Sequence, residues 1–201
     1  MMRLVECVPN FSEGRRMEVV DQIVKAITDV QGIKLLDRES DKDHNRSVIT
    51  FIGDIEPVLE AAFQATKKAA ELIDMEKHKG EHPRIGATDV IPFIPISEVT
   101  MAECVEMANR LGKRIADELG IPVYLYEEAA KTPARQNLAD IRKGQYEGLK
   151  EAIQTDPLRK PDYGPCKLHP TAGATVVGAR EVLVAFNVNL GTNNIDIAKK
   201  I

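Results

Sequence analysis

The sequence predicts an α/β (α+β) fold, a layered sandwich of the split βαβ type in which a mixed β-sheet carries helices packed on one face. Three observations lead there. Residues 1–96 read β-α-β-β-α-β, the order of a split βαβ unit. Two stripes, Val19 to Ile27 and Val58 to Ile73, repeat apolar residues at helical spacing and each need a sheet to cover them. Residues 97–180 then continue the same theme of capped helix and β-branched run.

Leu4 to Pro9 alternates and reads as the first strand. Asn10 to Gly14 reads as a polar turn, and Val19, Val20, Ile23, Val24 and Ile27 as one helix face, stopped by Gly32. Ile33 to Asp37 is a short strand. Arg38 to Arg46 is almost wholly polar and reads as a loop. Ser47 to Ile52 is a β-branched strand closed by Gly53. Pro57 marks a first helical turn, followed by Val58, Ala62, Phe63, Ala65, Ala69, Leu72 and Ile73. Val90 to Ile96 is a strand that Pro92 and Pro95 push towards an edge or an irregular course. Thr100 and Glu103 form a capping box for a helix that Gly120 ends. Val123 to Tyr126 is a strand, and Leu138 to Ile153 two short helices broken near Gly144. Residues 154–173 form a long Pro- and Gly-containing loop, the length at which loops carry function or link domains. Thr175 to Val177 and Val182 to Leu190 read as strands, and Asn193 to Ile201 as a helix start.

Composition narrows the function. In 201 residues, 27 Lys and Arg stand against 31 Asp and Glu, a formal charge of −4, with 43% hydrophobic residues. That is an ordinary globular mixture, slightly acidic and without basic runs, which argues against a general nucleic-acid binder. No run reaches the roughly 18 apolar residues of a membrane span, and no apolar leader follows Arg3. Cys7, Cys104 and Cys166 are odd in number and far apart, as expected of reduced thiols in a cytoplasmic protein.

Chemistry concentrates in three places. His78 to Arg84 holds two His, one Glu and, with the adjoining Lys77, three cations in a predicted loop. A histidine there can take and return a proton near neutral pH, or the loop is simply solvated charge. His78 and His82 are also spaced i, i+4, but Gly80 and Pro83 work against the continuous helix a metal site at that spacing needs. The second place is Asp37 to Arg46 between two strands, where Arg46 suits a bidentate carboxylate contact, with Asn10, Ser12 and Glu13 beside it if the split βαβ order holds. Ser12 reads equally as a helix N-cap. The third is Tyr163 to Ala172, one aromatic, one cation and one His among backbone-bending residues, either a rest for a flat heteroaromatic ligand or a plain connector. No phosphate-cradling glycine pattern and no G-x-S-x-G elbow is present.

At these residues the chain resembles a known family. Leu4 to Gly14, Asn45-Arg46, Ile73 to Met75, His78 to Arg84, Asp89, Pro92 to Pro95, Val123 to Tyr126 and Gly173 to Thr175 are similar to the glutamate formiminotransferases, in order and over essentially the whole chain. The resemblance implies an enzyme that moves a formimino or formyl group between N-formiminoglutamate and tetrahydrofolate. It implies the family's fold, in which two α/β subdomains face each other across a folate cleft. The family's catalytic histidine falls on His82. Its folate-contacting segment falls on Tyr163, Gly164, Pro165, Cys166, Lys167, Leu168, His169, Pro170, Thr171 and Ala172. It further implies that residues 1–180 are the N-terminal subdomain and 181–201 the first strand and helix start of a C-terminal one.

The residues fit that chemistry. One histidine can serve both the attack and the collapse at a single tetrahedral carbon, so tetrahydrofolate enters as co-substrate and no metal is expected. Arg46, Lys77, Lys79 and Arg84 are candidate anchors for substrate carboxylates. Asp37, Glu39 or Glu81 can orient His82. The expected partners are the two small-molecule substrates and either a second copy, as a homodimer, or a separate chain carrying the C-terminal subdomain. Two other readings remain open: a non-catalytic or split-enzyme module that needs a partner chain, and a metal-dependent hydrolase on His78 and His82.

Overall fold

A computed structural model describes residues 2–183, 190–192 and 194–200. The strands are β1 (Leu4–Cys7), β2 (Asn10–Phe11), β3 (Lys34–Asp41), β4 (Arg46–Gly53), β5 (Thr88–Ser97), β6 (Val123–Glu127) and β7 (Thr175–Ala179). The helices are α1 (Met17–Thr28), α2 (Ile55–Leu72), α3 (Met101–Leu119), α4 (Leu138–Ile141), α5 (Gln145–Thr155) and α6 (Ile195–Ala198). Among the described residues all seven strands join one mixed sheet. β1 and β2 lie end to end between β4 and β5, antiparallel to both. β3 flanks β4 antiparallel, and β7 then β6 extend β5 in parallel.

Three long helices cover one face. β4 alternates strictly, with Ser47, Ile49, Phe51 and Gly53 buried towards the helices and Arg46, Val48, Thr50 and Ile52 half-buried on the other face. α1, α2 and α3 bury Val20, Ile23, Val58, Ala62, Leu111 and Ile115 against that inner face. The capping box of α3 is complete. Thr100 Oγ1 accepts from the Glu103 amide at 3.2 Å, and the Glu103 carboxylate accepts from the Thr100 amide at 2.8 Å. Gly120 closes the helix at φ 66°, a left-handed cap that glycine adopts without strain. At the β6 end, the turns carrying Arg135 and Arg159 lie over Tyr124: Arg135 stacks 5.3 Å above its ring and its hydroxyl donates to the Arg159 carbonyl at 2.6 Å.

The split βαβ order holds, with three differences. Asn10–Phe11 is strand, since β4 and β5 both supply ladder partners to this dipeptide. Lys34–Asp41 is one eight-residue strand, where polarity alone suggested a loop from Arg38. It is an edge strand whose inner side meets α1 through the Arg38–Asp21 ion pair at 2.5 Å, so it needs few apolar residues. β5 is central, flanked by β1/β2 and β7. Pro92 falls opposite the gap between β1 and β2, and β7 ends opposite Phe93, short of Pro95, so neither proline breaks a ladder. Residues 138–155 form two helices broken at Gly144, as expected. Of the expected strand Val182 to Leu190, residues 184–189 lie outside the described residues. Among the described residues no helix is long and apolar enough to cross a membrane.

Candidate active site

The sheet directions bring the starts of β4, β5, β6 and β7 and the ends of β2 and β3 to one end of the molecule. The segment between α2 and β5, which contains both loop histidines, arrives at that end and lies on the turn between β3 and β4. Asn45 is the hub. Its side chain accepts from the Gly14 amide at 3.0 Å and donates to the Lys79 carbonyl at 3.0 Å, while its carbonyl bonds His78 Nε2 at 2.9 Å. Glu81 N donates to the Asp43 carbonyl at 3.1 Å. A Cβ on Gly80 would lie 2.8 Å from the His44 carbonyl carbon, so only glycine lets the two segments approach this closely.

The two loop histidines have different environments. His78 is buried and both ring nitrogens are engaged: Nε2 donates to Asn45, and Nδ1 accepts from Arg84 Nε at 3.1 Å. Burial, then the Arg84 charge, hold its pKa below the usual value. It is a neutral imidazole fixed in one tautomer. His82 is half-buried, its Nδ1 buried with no hydrogen-bond partner among the described residues. Its ring meets that of His44 edge-on, centroids 6.0 Å apart. Burial, then the guanidinium charges of Arg46 and Arg142, lower its pKa to about 4, and Asp89 opposes them. At neutral pH His82 is an uncharged imidazole with one nitrogen available.

The charges around His82 are unequal. Arg46 donates to Asn10 Oδ1 through Nη2, and its Nε is buried without a partner among the described residues. Arg142 donates to Asp89 Oδ2 through Nε at 2.9 Å and through Nη2. Asp89 Oδ1 accepts from the Ile85 amide at 2.8 Å, so both of its oxygens are engaged. Two guanidiniums therefore act on the His82 ring against one buried carboxylate, while the exposed Glu39 and Asp41 also act on Arg46; an anionic ligand beside the ring would meet the two guanidiniums.

Other candidates are placed as follows. Arg84 is committed to the protein: it forks onto Glu147 at 2.7 and 2.8 Å and donates to Gln145 Oε1 at 2.9 Å. Lys77 pairs with Asp74 at 3.0 Å, and Lys79 is exposed. Asp37 is exposed on the outer face opposite Thr50, about 14 Å along β4 from Arg46 at the strand rise per residue. Glu39 is exposed opposite Val48, nearer to Arg46 than Asp37 is. Ser12 does not cap α1; its hydroxyl donates to the Gly86 carbonyl at 2.7 Å. Helix α1 has no side-chain cap; Glu13 accepts from the amides of Arg15 and Arg16 just ahead of it, both at 2.9 Å. Because His78 has no free nitrogen, the His78–His82 pair does not form a ligand set. Among the described residues no three His, Cys, Asp or Glu side chains converge on a metal position.

The segment Tyr163–Ala172 divides in two. Tyr163 packs at the start of β6 beside α3, its hydroxyl donating to Asn109 Oδ1 at 2.8 Å and its ring under Lys131 Nζ at 4.2 Å. Gly164 turns there at φ 86°. Pro165, Cys166 and Lys167 are exposed. Leu168 is buried, and His169 Nδ1 accepts from the Ala172 amide at 3.0 Å, closing a tight turn over Pro170. Thr171 and Ala172 join the histidine segment: their carbonyls accept from Met75 N at 2.8 Å and Ala87 N at 2.9 Å. Gly86 bridges Gly173, and a Cβ on Gly86 would lie 2.7 Å from the Ala172 carbonyl oxygen.

A family model described as "Formiminotransferase domain, N-terminal subdomain" matches residues 4–180. The chain belongs to the formiminotransferase family. It is 57% identical over 201 residues to the glutamate formimidoyltransferase of Streptococcus pyogenes serotype M1, covering all of this chain and 67% of that protein. Against the glutamate formimidoyltransferase of Thermoplasma acidophilum it is 56% identical over 202 residues, covering 66% of that protein. Against the formimidoyltransferase-cyclodeaminase of Mus musculus it is 54% identical over 190 residues, 94% of this chain and 35% of that protein. This chain thus spans about two thirds of the length of its bacterial and archaeal relatives named here, and about a third of the mouse protein.

Arg142 and Asp89 are the residues that sequence reasoning did not bring to His82. Asp89 was visible only as a single position matching the family. Arg142 lies 53 residues further along, at the end of a four-residue helix, with no local pattern to mark it.

Proposed function

We propose that the chain supplies the His82 wall of an active site that transfers a formimino or formyl group between N-formiminoglutamate and tetrahydrofolate. His82 is the general acid/base of this reading. Folate N5 attacks the formimino carbon as the imidazole takes the N5 proton. The tetrahedral adduct then expels the glutamate nitrogen as the imidazolium returns that proton to it. No redox change and no covalent enzyme intermediate are needed. The observation that carries the reading is the neutral His82 ring with a buried, partnerless Nδ1 beside two guanidiniums and one carboxylate. Bringing an anionic substrate to those cations raises the proton affinity of His82 from its low resting value, so the base strengthens when the donor is bound.

Tyr163, Gly164, Pro165, Cys166, Lys167, Leu168, His169, Pro170, Thr171 and Ala172 are proposed as the folate segment, with Arg46 and Asp37 on the substrate side. Support for the segment is strongest at Thr171 and Ala172, which are bonded directly to the histidine segment. Residues 181–201 are proposed as the start of a C-terminal subdomain. The remaining third found in the bacterial and archaeal relatives, in the same chain or a separate one, is proposed to supply the other wall. A second copy is the further partner considered.

The test is a product assay with tetrahydrofolate and N-formiminoglutamate, on the chain alone and with a C-terminal subdomain added. Folate-dependent release of glutamate supports the reading. No release in either arm contradicts it.

A further inference from the structure

We propose that Arg142, held by Asp89, joins Arg46 to form a subsite for the α-carboxylate of the amino-acid donor, directly beside His82. The inference rests on the transfer reading above and assigns a specific group of one substrate to specific residues. Arg46 presents a buried Nε–H that nothing among the described residues accepts. Burying such a charged donor without a partner is costly, and a ligand oxygen relieves it. Asp89 does not fill the role, because Oδ1 is taken by Ile85 N and Oδ2 by Arg142. Asp41, on the rim, is occupied by the amides of Asp43 and His44, both at 2.8 Å. Glu39 stands exposed on the outer face.

Covalent structure decides which carboxylate fits. In the donor, the nitrogen that must be protonated and the α-carboxylate are attached to the same carbon. A carboxylate within a few ångströms of the proton-transfer group is therefore the α-carboxylate. The donor's side-chain carboxylate is three carbons from the α-carbon, and the folate glutamyl carboxylates lie beyond the aminobenzoyl ring, far from N5. Paired guanidiniums suit a planar carboxylate, which accepts from both.

Calorimetric titration of the full chain tests this with two probes that differ only in that group, N-formylglutamate and N-formyl-4-aminobutyrate. A third probe, p-aminobenzoylglutamate, represents the folate tail. The wild type is expected to prefer N-formylglutamate about 10- to 100-fold, the range of one to two charge-assisted hydrogen bonds. Arg46→Gln and Arg142→Gln are each expected to abolish that preference while leaving the 4-aminobutyrate probe unchanged. Arg142→Gln unpairs Asp89 and its melting is checked; Arg46→Gln leaves that pair intact and carries the test by itself. Equal binding of the first two probes by the wild type overturns the subsite, as does a preference that survives in Arg46→Gln. Selective loss of p-aminobenzoylglutamate in that variant assigns the cations to the folate tail and also overturns it. If turnover is present while the preference is absent, the subsite alone fails. If the wild type neither turns over nor binds any probe, the transfer reading fails and the subsite with it.

Discussion

Arg84 Nε donates to His78 Nδ1 at 3.1 Å, and this bond separates the roles of two histidines that the sequence presents as equals. A guanidinium cannot accept, so Nδ1 of His78 is the acceptor and the ring proton sits on Nε2, facing the Asn45 carbonyl. His78 is thereby a strut between the β3–β4 turn and α5. His82, four residues on, keeps its Nδ1 unengaged.

His78→Ala is accordingly expected to act on stability. It removes a buried ring and two hydrogen bonds, a loss of about 2–4 kcal/mol. Chemical denaturation should show that loss, while the transfer rate of the protein that remains folded stays within about tenfold of wild type. A stability-neutral His78→Ala that abolishes transfer contradicts the division of roles.

Glu147→Gln tests the other end of the same strut. The Arg84 hydrogen bonds hold the Glu147 carboxyl at a pKa of about 2, below the roughly 4.3 of an unfolded glutamate. A lowered folded pKa stabilises above the unfolded value and is lost as pH falls through the folded one. The variant should be less stable than wild type at pH 7, by about 1 kcal/mol once solvent screening at the exposed Glu147 is allowed for. The gap should close between about pH 4 and pH 2. Urea midpoints across that range check it, and a gap that does not change with pH contradicts the pairing.

The ionisation of His82 gives a direct spectroscopic prediction. Its imidazole should titrate near pH 4 in the free protein, lowered by burial and then by Arg46 and Arg142. The unfolded chain binds the proton near 6.5, so the stability linked to this group is complete above 6.5 and falls as pH drops from there to about 4. Arg46→Gln should move the titration upward. NMR of the His82 ring protons reads both, and a free-state value of 6.5 that Arg46→Gln leaves in place contradicts the charge assignment.

Gly86→Ala should damage the join between the histidine segment and the 163–172 segment. Its Cβ would strike the carbonyls of Ala172 and Ala174, rigid backbone on both counts. A cost of about 3 kcal/mol or more is expected, with faster amide exchange at Ala87 and Met75, whose partners are Ala172 and Thr171. Unchanged exchange at both amides contradicts the role given to this contact.

Elements whose signals are local were legible. Thr100, Glu103 and Gly120 bound α3 by chemistry that acts within one helical turn, and the structure ends that helix where they do. β3 was cut short because its outer side carries Asp37, Glu39 and Asp41, and an edge strand completed by β4 needs no apolar alternation of its own. The prolines of β5 suggested an edge because nothing local shows that Pro92 meets the gap between β1 and β2. At the site, the His-Pro-Arg string exposed His82. It did not show that Arg84 is spent on Glu147, nor that Arg142 pairs with Asp89. Both depend on where α4 and α5 fold back, and no residue pattern near position 84 contains that.

In the proposed reaction His82 moves the proton. Single-turnover transfer by His82→Asn, in the chain together with whatever C-terminal subdomain supports wild-type turnover, tests it most directly. Asparagine keeps the size and polarity of the ring edge without its basicity, so the melting temperature should match wild type. The rate is predicted to fall about 10²- to 10⁴-fold, the usual contribution of a general acid/base. A folded His82→Asn protein that transfers at close to the wild-type rate would contradict the account.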